Sequence, residues 1–217
     1  GFTQKFTNID GLRFFTHLKH LQLNGQPVEN IEEINLLDLL HLSISLPELS
    51  TYPDIENLIN LQSLYSNWLN NELPTFSSSQ NMKELSLGAL NRIHYNSDTL
   101  TLSTNLKNLT WLVLSKTDIK YIATIDTLFE LSYLYLRTMN LVEIDLNLFP
   151  NVSRLRIDDN KLSSLNFSDS DSLTNIFAEH NLLESVTLPT NEENLVSIIF
   201  NYNQLHEFPS LKSYSNL

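Results

Sequence analysis

One stretch, residues 152–165 (VSRLRIDDNKLSSL), constrains the fold more than any other. Apolar side chains fall at Val152, Leu155, Ile157, Leu162 and Leu165, with Asn160 between them. Leu155 and Ile157 alternate with Arg154, Arg156 and Asp158, a period of two that predicts a short strand with one face buried. Such a short strand is not stable by itself, so its apolar face needs the same face of another copy beside it. Asn160 falls where the chain must turn off the strand. An amide there can both donate to and accept from backbone groups that the turn leaves unpaired. Leu162 and Leu165 then suit a tight helical turn that carries the chain back.

The same pattern recurs along the chain. Copies begin at Leu18, Leu37, Leu61, Met82, Leu109, Leu131, Val152, Leu173 and Leu195, at steps of 19, 24, 21, 27, 22, 21, 21 and 22 residues. The segment LLDLLHLSIS admits more than one phase; a start at Leu37 is taken because it leaves His41 and Ser43 facing water. Ser66 interrupts the apolar pattern of the third copy. The longest step contains HYNSDTLTLSTN, from His94 to Asn105, read as an excursion on the far side whose DTLTL segment adds a strand. Ile9 and Leu12 look like the end of an earlier copy, and Leu217 like the start of a tenth. The expectation is a single repeat domain over 1–217, about nine copies long and cut from a longer chain. Uncapped ends would then invite end-to-end self-association.

Written out, the pattern is L-x-x-L-x-L-x-x-N-x-L-x-x-L, and the chain resembles the leucine-rich-repeat family. The resemblance implies an α/β solenoid, a curved right-handed coil. A parallel β-sheet lines its concave face, and short 3-10 or irregular turns line its convex face. The run Ile9-Asp10-Gly11-Leu12, followed by Leu18 to Gly25, is similar to the opening repeats of internalin-type bacterial proteins. That narrower resemblance implies a bacterial protein at the cell surface or secreted; a cytoplasmic location is the alternative. The column that carries the family's Asn reads Gln26, Ser45, Leu69, Leu90, Thr117, Met139, Asn160, Asn181 and Asn203. A continuous amide ladder is therefore expected only near the C-terminal end, with water or altered turns at copies three, four and six.

Hydrophobic residues make up 41% of the chain, enough for a continuous core. The net charge of −12 argues against nucleic acid and anionic membranes as partners. No apolar run approaches the roughly 20 residues that span a bilayer, so no membrane insertion is expected. There is no cysteine, which fits a cytosolic protein, a bacterial one, or a piece from the middle of something larger.

Strand side chains facing away from the core sit at the third, fifth and seventh places of each copy. Neighbouring strands lie about 4.8 Å apart. Trp111, Tyr133, Tyr135, Arg137, Arg154, Arg156 and Phe177 should therefore form one patch, with Tyr65 on the same face nearer the N-terminus. Aromatic residues and Arg are enriched at binding hot spots, so the patch predicts a protein or peptide partner of acidic, apolar character. The plain alternative is that bulky β-prone residues simply suit strands.

Nothing in the sequence specifies catalysis, a metal or a cofactor. His20 and His41 are placed as diagonal neighbours, and no Cys or carboxylate converges on them. Asp158 and Asp159 are adjacent and need not share a face. The SDSDS turn around Asp169 and Asp171 lacks the ligand order of a calcium loop. Triplets Asn108-Leu-Thr110, Asn151-Val-Ser153 and Asn166-Phe-Ser168 matter as glycosylation acceptors only in a secreted eukaryotic protein. The residues thus point to a non-enzymatic interaction module. The alternatives are the targeting arm of a larger enzyme or secreted effector, and a structural spacer.

Overall fold

A computed structural model describes residues 7–46, 54–67, 76–93, 96–191, 193–211, 214 and 216, with side chains of 89–93 left aside. The repeated half-apolar segments form a parallel nine-stranded sheet. Its strands are β1 (His20–Asn24), β2 (His41–Ser45), β3 (Ser63–Asn67), β4 (Glu84–Ile93), β6 (Trp111–Thr117), β8 (Tyr133–Arg137), β9 (Arg154–Arg156), β11 (Asn175–Phe177) and β13 (Ser197–Ile199). Two-stranded parallel pairs lie on the opposite side of the coil. One joins β5 (Thr99–Leu102) to β7 (Tyr121–Thr124), the other β10 (Ser164–Asn166) to β12 (Ser185–Thr187). β5 is the strand expected from DTLTL. Between strands the chain returns through 3-10 turns, as at Leu12–Phe14, Glu32–Leu36 and Ile55–Asn57.

Register is set by the core. Leu21, Leu42, Leu64, Leu85, Leu112, Leu134, Leu155, Ile176 and Ile198 stand side by side, one from each strand. The seven interior members are essentially without solvent contact. A slip by one residue would turn this whole row to water, which is why the register holds. In the next inward row Ser66 replaces an aliphatic side chain; it is buried and its hydroxyl has no hydrogen-bond partner.

The second copy corrects the sequence reading. β2 pairs His41 with His20 and Leu42 with Leu21, so this copy starts at Leu39, not Leu37. Leu39, assigned to the wet face, is fully buried. Burial of four apolar side chains, Leu37, Leu39, Leu42 and Ile44, overrides the one-face pattern from which the phase was chosen.

Six of the copies leave their strand through a left-handed residue. Gly25, Lys116, Thr138, Asp159, His180 and Tyr202 all have φ between 53° and 65°, and all precede the Asn column by one place. Only Gly25 adopts this conformation without steric cost. The others are held by the next coil: Thr138, Asp159 and His180 donate their N–H groups to Asp158 O, Glu179 O and Asn201 O at 3.0–3.1 Å.

The amide ladder runs through the last three copies. The Oδ1 atoms of Asn160, Asn181 and Asn203 accept from the N–H groups of Leu141, Leu162 and Leu183 in the preceding copy. Their Nδ2 groups donate to carbonyls of the preceding strand, Leu136, Ile157 and Ala178, at 2.7–3.0 Å. In copy four the turn is replaced: β4 continues as strand through Leu90 to Ile93. Copy six keeps the left-handed turn at Thr138 although Met139 fills the amide position, so no altered turn is present there. Leu69 and Leu217, assigned to the amide column and to a tenth copy, lie outside the described residues, as does His94 of the excursion.

A second set of amides lies one place before four of the copies. Asn81, Asn108, Asn151 and Asn194 each donate Nδ2 to a carbonyl of the previous coil, those of Ile59, Gln80, Phe129 and Asp171. Two of the glycosylation triplets therefore have their amide engaged in structure.

Replacing Asn181 with Ala leaves Leu162 N–H and several buried carbonyls without partners. Denaturant unfolding should show a loss of about 3 kcal/mol, since each unsatisfied buried group costs roughly 1–3 kcal/mol. Thr190→Ala, which removes only an exposed hydroxyl, should cost a small fraction of that.

Candidate functional site

Strand alternation puts the third and fifth side chains of every copy on the open, concave face of the sheet. All eight residues assigned from the sequence lie there, and each is exposed or half-exposed. Tyr65 and Trp111 meet with ring centroids 5.5 Å apart, although β4 lies between their strands. They can meet because β4 presents only the small Ser86 beside Tyr65, which leaves the ring room to reach across; Gly88 lies one row further on, between Asn67 and Ser115. A Cβ on Gly88 would come within 3.0 Å of the Ser115 hydroxyl, so the floor there is as low as the packing permits.

The basic part of the patch lies two strands further on. The Arg154 guanidinium stacks over the Tyr133 ring at 5.4 Å, and that of Arg156 over Phe177 at 5.5 Å. Tyr135 stands between Val113 and Arg156 in the same register row. Such cation–π contacts fix the orientation of a long side chain at an exposed site, for about 0.5–1 kcal/mol each.

Asp158 organises the Arg residues, and the sequence reading missed this role. It is 2% exposed, though it was expected on the wet face. Its Oδ2 lies 2.6 Å from Arg156 Nε and 3.1 Å from Arg137 Nε, while its Oδ1 accepts the Glu179 N–H at 3.2 Å. Asp159 Oδ2 also lies 3.8 Å from Arg137. The two acids share a cation because the chain leaves extended geometry after Arg156 and Asp159 is left-handed, so strand alternation no longer separates them. The hydrogen bond to Asp158 raises the Arg156 pKa above its ordinary value. Arg154 has no carboxylate partner among the described residues. The only sequence signal for the clamp is the seventh-place order Arg137, Asp158, Glu179 on successive copies.

On the N-terminal side Glu84 takes hydrogen bonds from the Ser63 hydroxyl at 2.9 Å and from the Tyr65 hydroxyl. Burial first, and then this bond and the charge of Glu84, push the Tyr65 phenol up to about 12. His20 and His41 are not diagonal: the corrected register sets them directly opposite, with rings stacked at 4.4 Å and 13°. Asp171 of the SDSDS turn accepts from Asn191 N–H at 2.9 Å and so ties two coils together. Among the described residues no three His, Asp or Glu converge as a metal site requires, and no helix is long and apolar enough to cross a membrane.

No family model and no curated relative matches the chain. Several solved structures do. The chain is similar to TLR13 in its complex with the single-stranded RNA ssRNA13, with 28% identity, a TM-score of 0.62 and coverage of 85% of this chain but 28% of that one. It is similar in fold to the functional domain of InlJ from Listeria monocytogenes, with 17% identity, a TM-score of 0.61 and coverage of 94% and 53%. The internalin InlF of the same organism gives 18% identity, a TM-score of 0.62 and coverage of 98% and 70%. The chain is a leucine-rich-repeat solenoid of internalin-like architecture, and it spans about half of the InlJ domain and under a third of the TLR13 chain.

Two outcomes test the site's internal geometry. In an alkaline titration followed by phenolate absorbance, Tyr65→Phe should remove a phenol that ionises near pH 12. Because the folded pKa is raised, the stability Tyr65 contributes is complete below pH 10 and lost as pH rises toward 12. Asp158→Ala should cost about 1–3 kcal/mol in thermal or denaturant unfolding, because the Glu179 N–H loses its acceptor and two Arg lose their counter-charge.

Proposed function

We propose that the chain is a non-enzymatic recognition module that binds another protein or peptide through the concave patch of Tyr65, Trp111, Tyr133, Tyr135, Arg137, Arg154, Arg156 and Phe177. The observation that supports this most is the row of paired side chains, Tyr65–Trp111, Arg154–Tyr133 and Arg156–Phe177. Rigid aromatic and Arg side chains lose little freedom on binding, which is the property that makes hot spots. Arg154, exposed and without an internal carboxylate, suits an acidic group of the partner. The aromatic floor beside Gly88 suits a bulky apolar one.

The likeness to TLR13 raises single-stranded RNA as a second ligand class. The net charge of −12 and the pairing of Arg137 and Arg156 with Asp158 and Asp159 weigh against it. The internalin-like fold supports a bacterial surface or secreted protein. The same concave face would serve as the targeting arm of a larger enzyme, and the full-length gene distinguishes the two settings.

The test is affinity capture with the intact chain as bait, followed by measurement of the captured partner against variants. Tyr135→Ala with Arg156→Ala should weaken binding by about thirtyfold, the effect of losing roughly 2 kcal/mol at a hot spot. Unchanged affinity removes the concave patch from consideration.

A further inference from the structure

The concave face carries charge at two places that the coil itself leaves unanswered. Glu84, Trp111, Tyr133 and Arg154 hold one register row on four successive strands of the sheet, β4, β6, β8 and β9. An acid thus stands at one end of the row and a base at the other, with two aromatic side chains between them.

Glu84 is half-exposed. Its Oε2 accepts from the Ser63 hydroxyl at 2.9 Å and from the Tyr65 hydroxyl, while its Oε1 accepts from no described residue. No Lys, Arg or His pairs with it among the described residues. Two neutral donors therefore fix the carboxylate in place without offsetting its charge. Arg154 is the mirror case. It is exposed, its guanidinium lies 5.4 Å over the Tyr133 ring, and it has no carboxylate partner among the described residues. The ring orients the cation and leaves its charge open. The other two Arg of the patch, Arg137 and Arg156, are taken by Asp158. The row is complementary to a ligand with one positive and one negative group and apolar surface between them.

The spacing selects the kind of chain that carries these groups. Three strand spacings of about 4.8 Å set Glu84 and Arg154 about 14 Å apart. In an extended peptide, residues i and i+4 share a face and lie about 13 Å apart, with i+2 halfway between them. On an α-helix, residues that share a face lie about 10 Å apart at i+7 and about 16 Å at i+11, so a helix straddles the span. Resting on the concave-face reading above, we infer that this face takes an extended peptide segment laid along the coil, across the strands, with Lys or Arg and Asp or Glu four positions apart and an apolar residue midway. The cation meets Glu84, the apolar side chain lies on Trp111 and Tyr133, and the anion meets Arg154. Either chain direction satisfies the spacing. Glu84 and Arg154 then set which partners are accepted, and the aromatic pair supplies the contact area.

The test titrates the intact chain with labelled peptides, read by fluorescence anisotropy. Three peptides carry Thr-Leu-Thr between two outer residues, which are Lys and Asp, Lys and Lys, or Asp and Asp; the Thr residues favour extended backbone. A fourth sets Lys and Asp three positions apart, on opposite faces. The first Lys/Asp peptide should bind at least about tenfold more tightly than the other three. Glu84→Gln keeps an acceptor for Ser63 and Tyr65, and it should remove the advantage over the Asp/Asp peptide. Arg154→Gln should remove the advantage over the Lys/Lys peptide. Glu84→Lys should make the Asp/Asp peptide the tightest of the set. Trp111→Ala should weaken the Lys/Asp peptide about tenfold without changing the order. Circular dichroism checks that each variant is folded. No binding, no preference for the Lys/Asp peptide, or an order that both Gln variants leave unmoved overturns the inference. If that order stays put while Trp111→Ala still weakens binding, the concave face binds and the charge row alone is wrong. If Trp111→Ala changes nothing, the concave reading falls as well.

Discussion

Lateral stacking of one buried row, from Leu21 through Leu134 to Ile198, is the interaction on which the rest of the structure depends. No copy encloses its own core. Each three- to ten-residue strand buries an apolar face only because the next copy covers it. Stability in such a coil is the sum of neighbour interfaces, and many of the polar devices in the chain are inter-copy devices as well. Hydroxyls at Ser132, Ser153 and Thr174, for example, all donate to a carbonyl one copy back.

The tight turn after each strand carries a conformational cost that the same neighbour offsets. A left-handed non-glycine residue costs of the order of 1–3 kcal/mol by itself. In copies six to eight its N–H is accepted by the following coil, and in the last three copies the Asn behind it both accepts from and donates to the preceding copy. Where the Asn is missing, the coil responds locally. Met139 keeps the turn and fills the column with apolar volume, whereas copy four abandons the turn and extends its strand. That extension accompanies the longest step between copies and the register shift between β4 and β6.

The same repetition composes the concave face. Because each copy contributes side chains at fixed places, residues 21 or 22 apart in sequence become neighbours, and Arg137, Asp158 and Arg156 form one cluster. A nearly buried carboxylate between two Arg gives them a fixed geometry and offsets one of their two charges, and Asp159 lies 3.8 Å from Arg137 as well. Arg154 is left as the cation that faces outward. The acidity of the chain as a whole thus coexists with a locally basic, aromatic surface.

The sequence by itself determined the repeat, its strand-and-turn unit and the eight side chains that face outward. Each follows from a two-residue alternation and a spacing visible in one dimension. It also located the amide ladder at Asn160, Asn181 and Asn203. Only the tertiary structure decided the phase of the second copy, because LLDLLHLSIS places Leu at both alternate sets, Leu36–Leu37 and Leu39–Leu40, so more than one start fits; the neighbour's burial demand chose Leu39. The burial of Asp158, the direct stacking of His20 on His41, and the contact of Tyr65 with Trp111 across β4 were also decided there. These depend on the three-dimensional register and on the size of side chains from a third copy, which no spacing within one copy encodes.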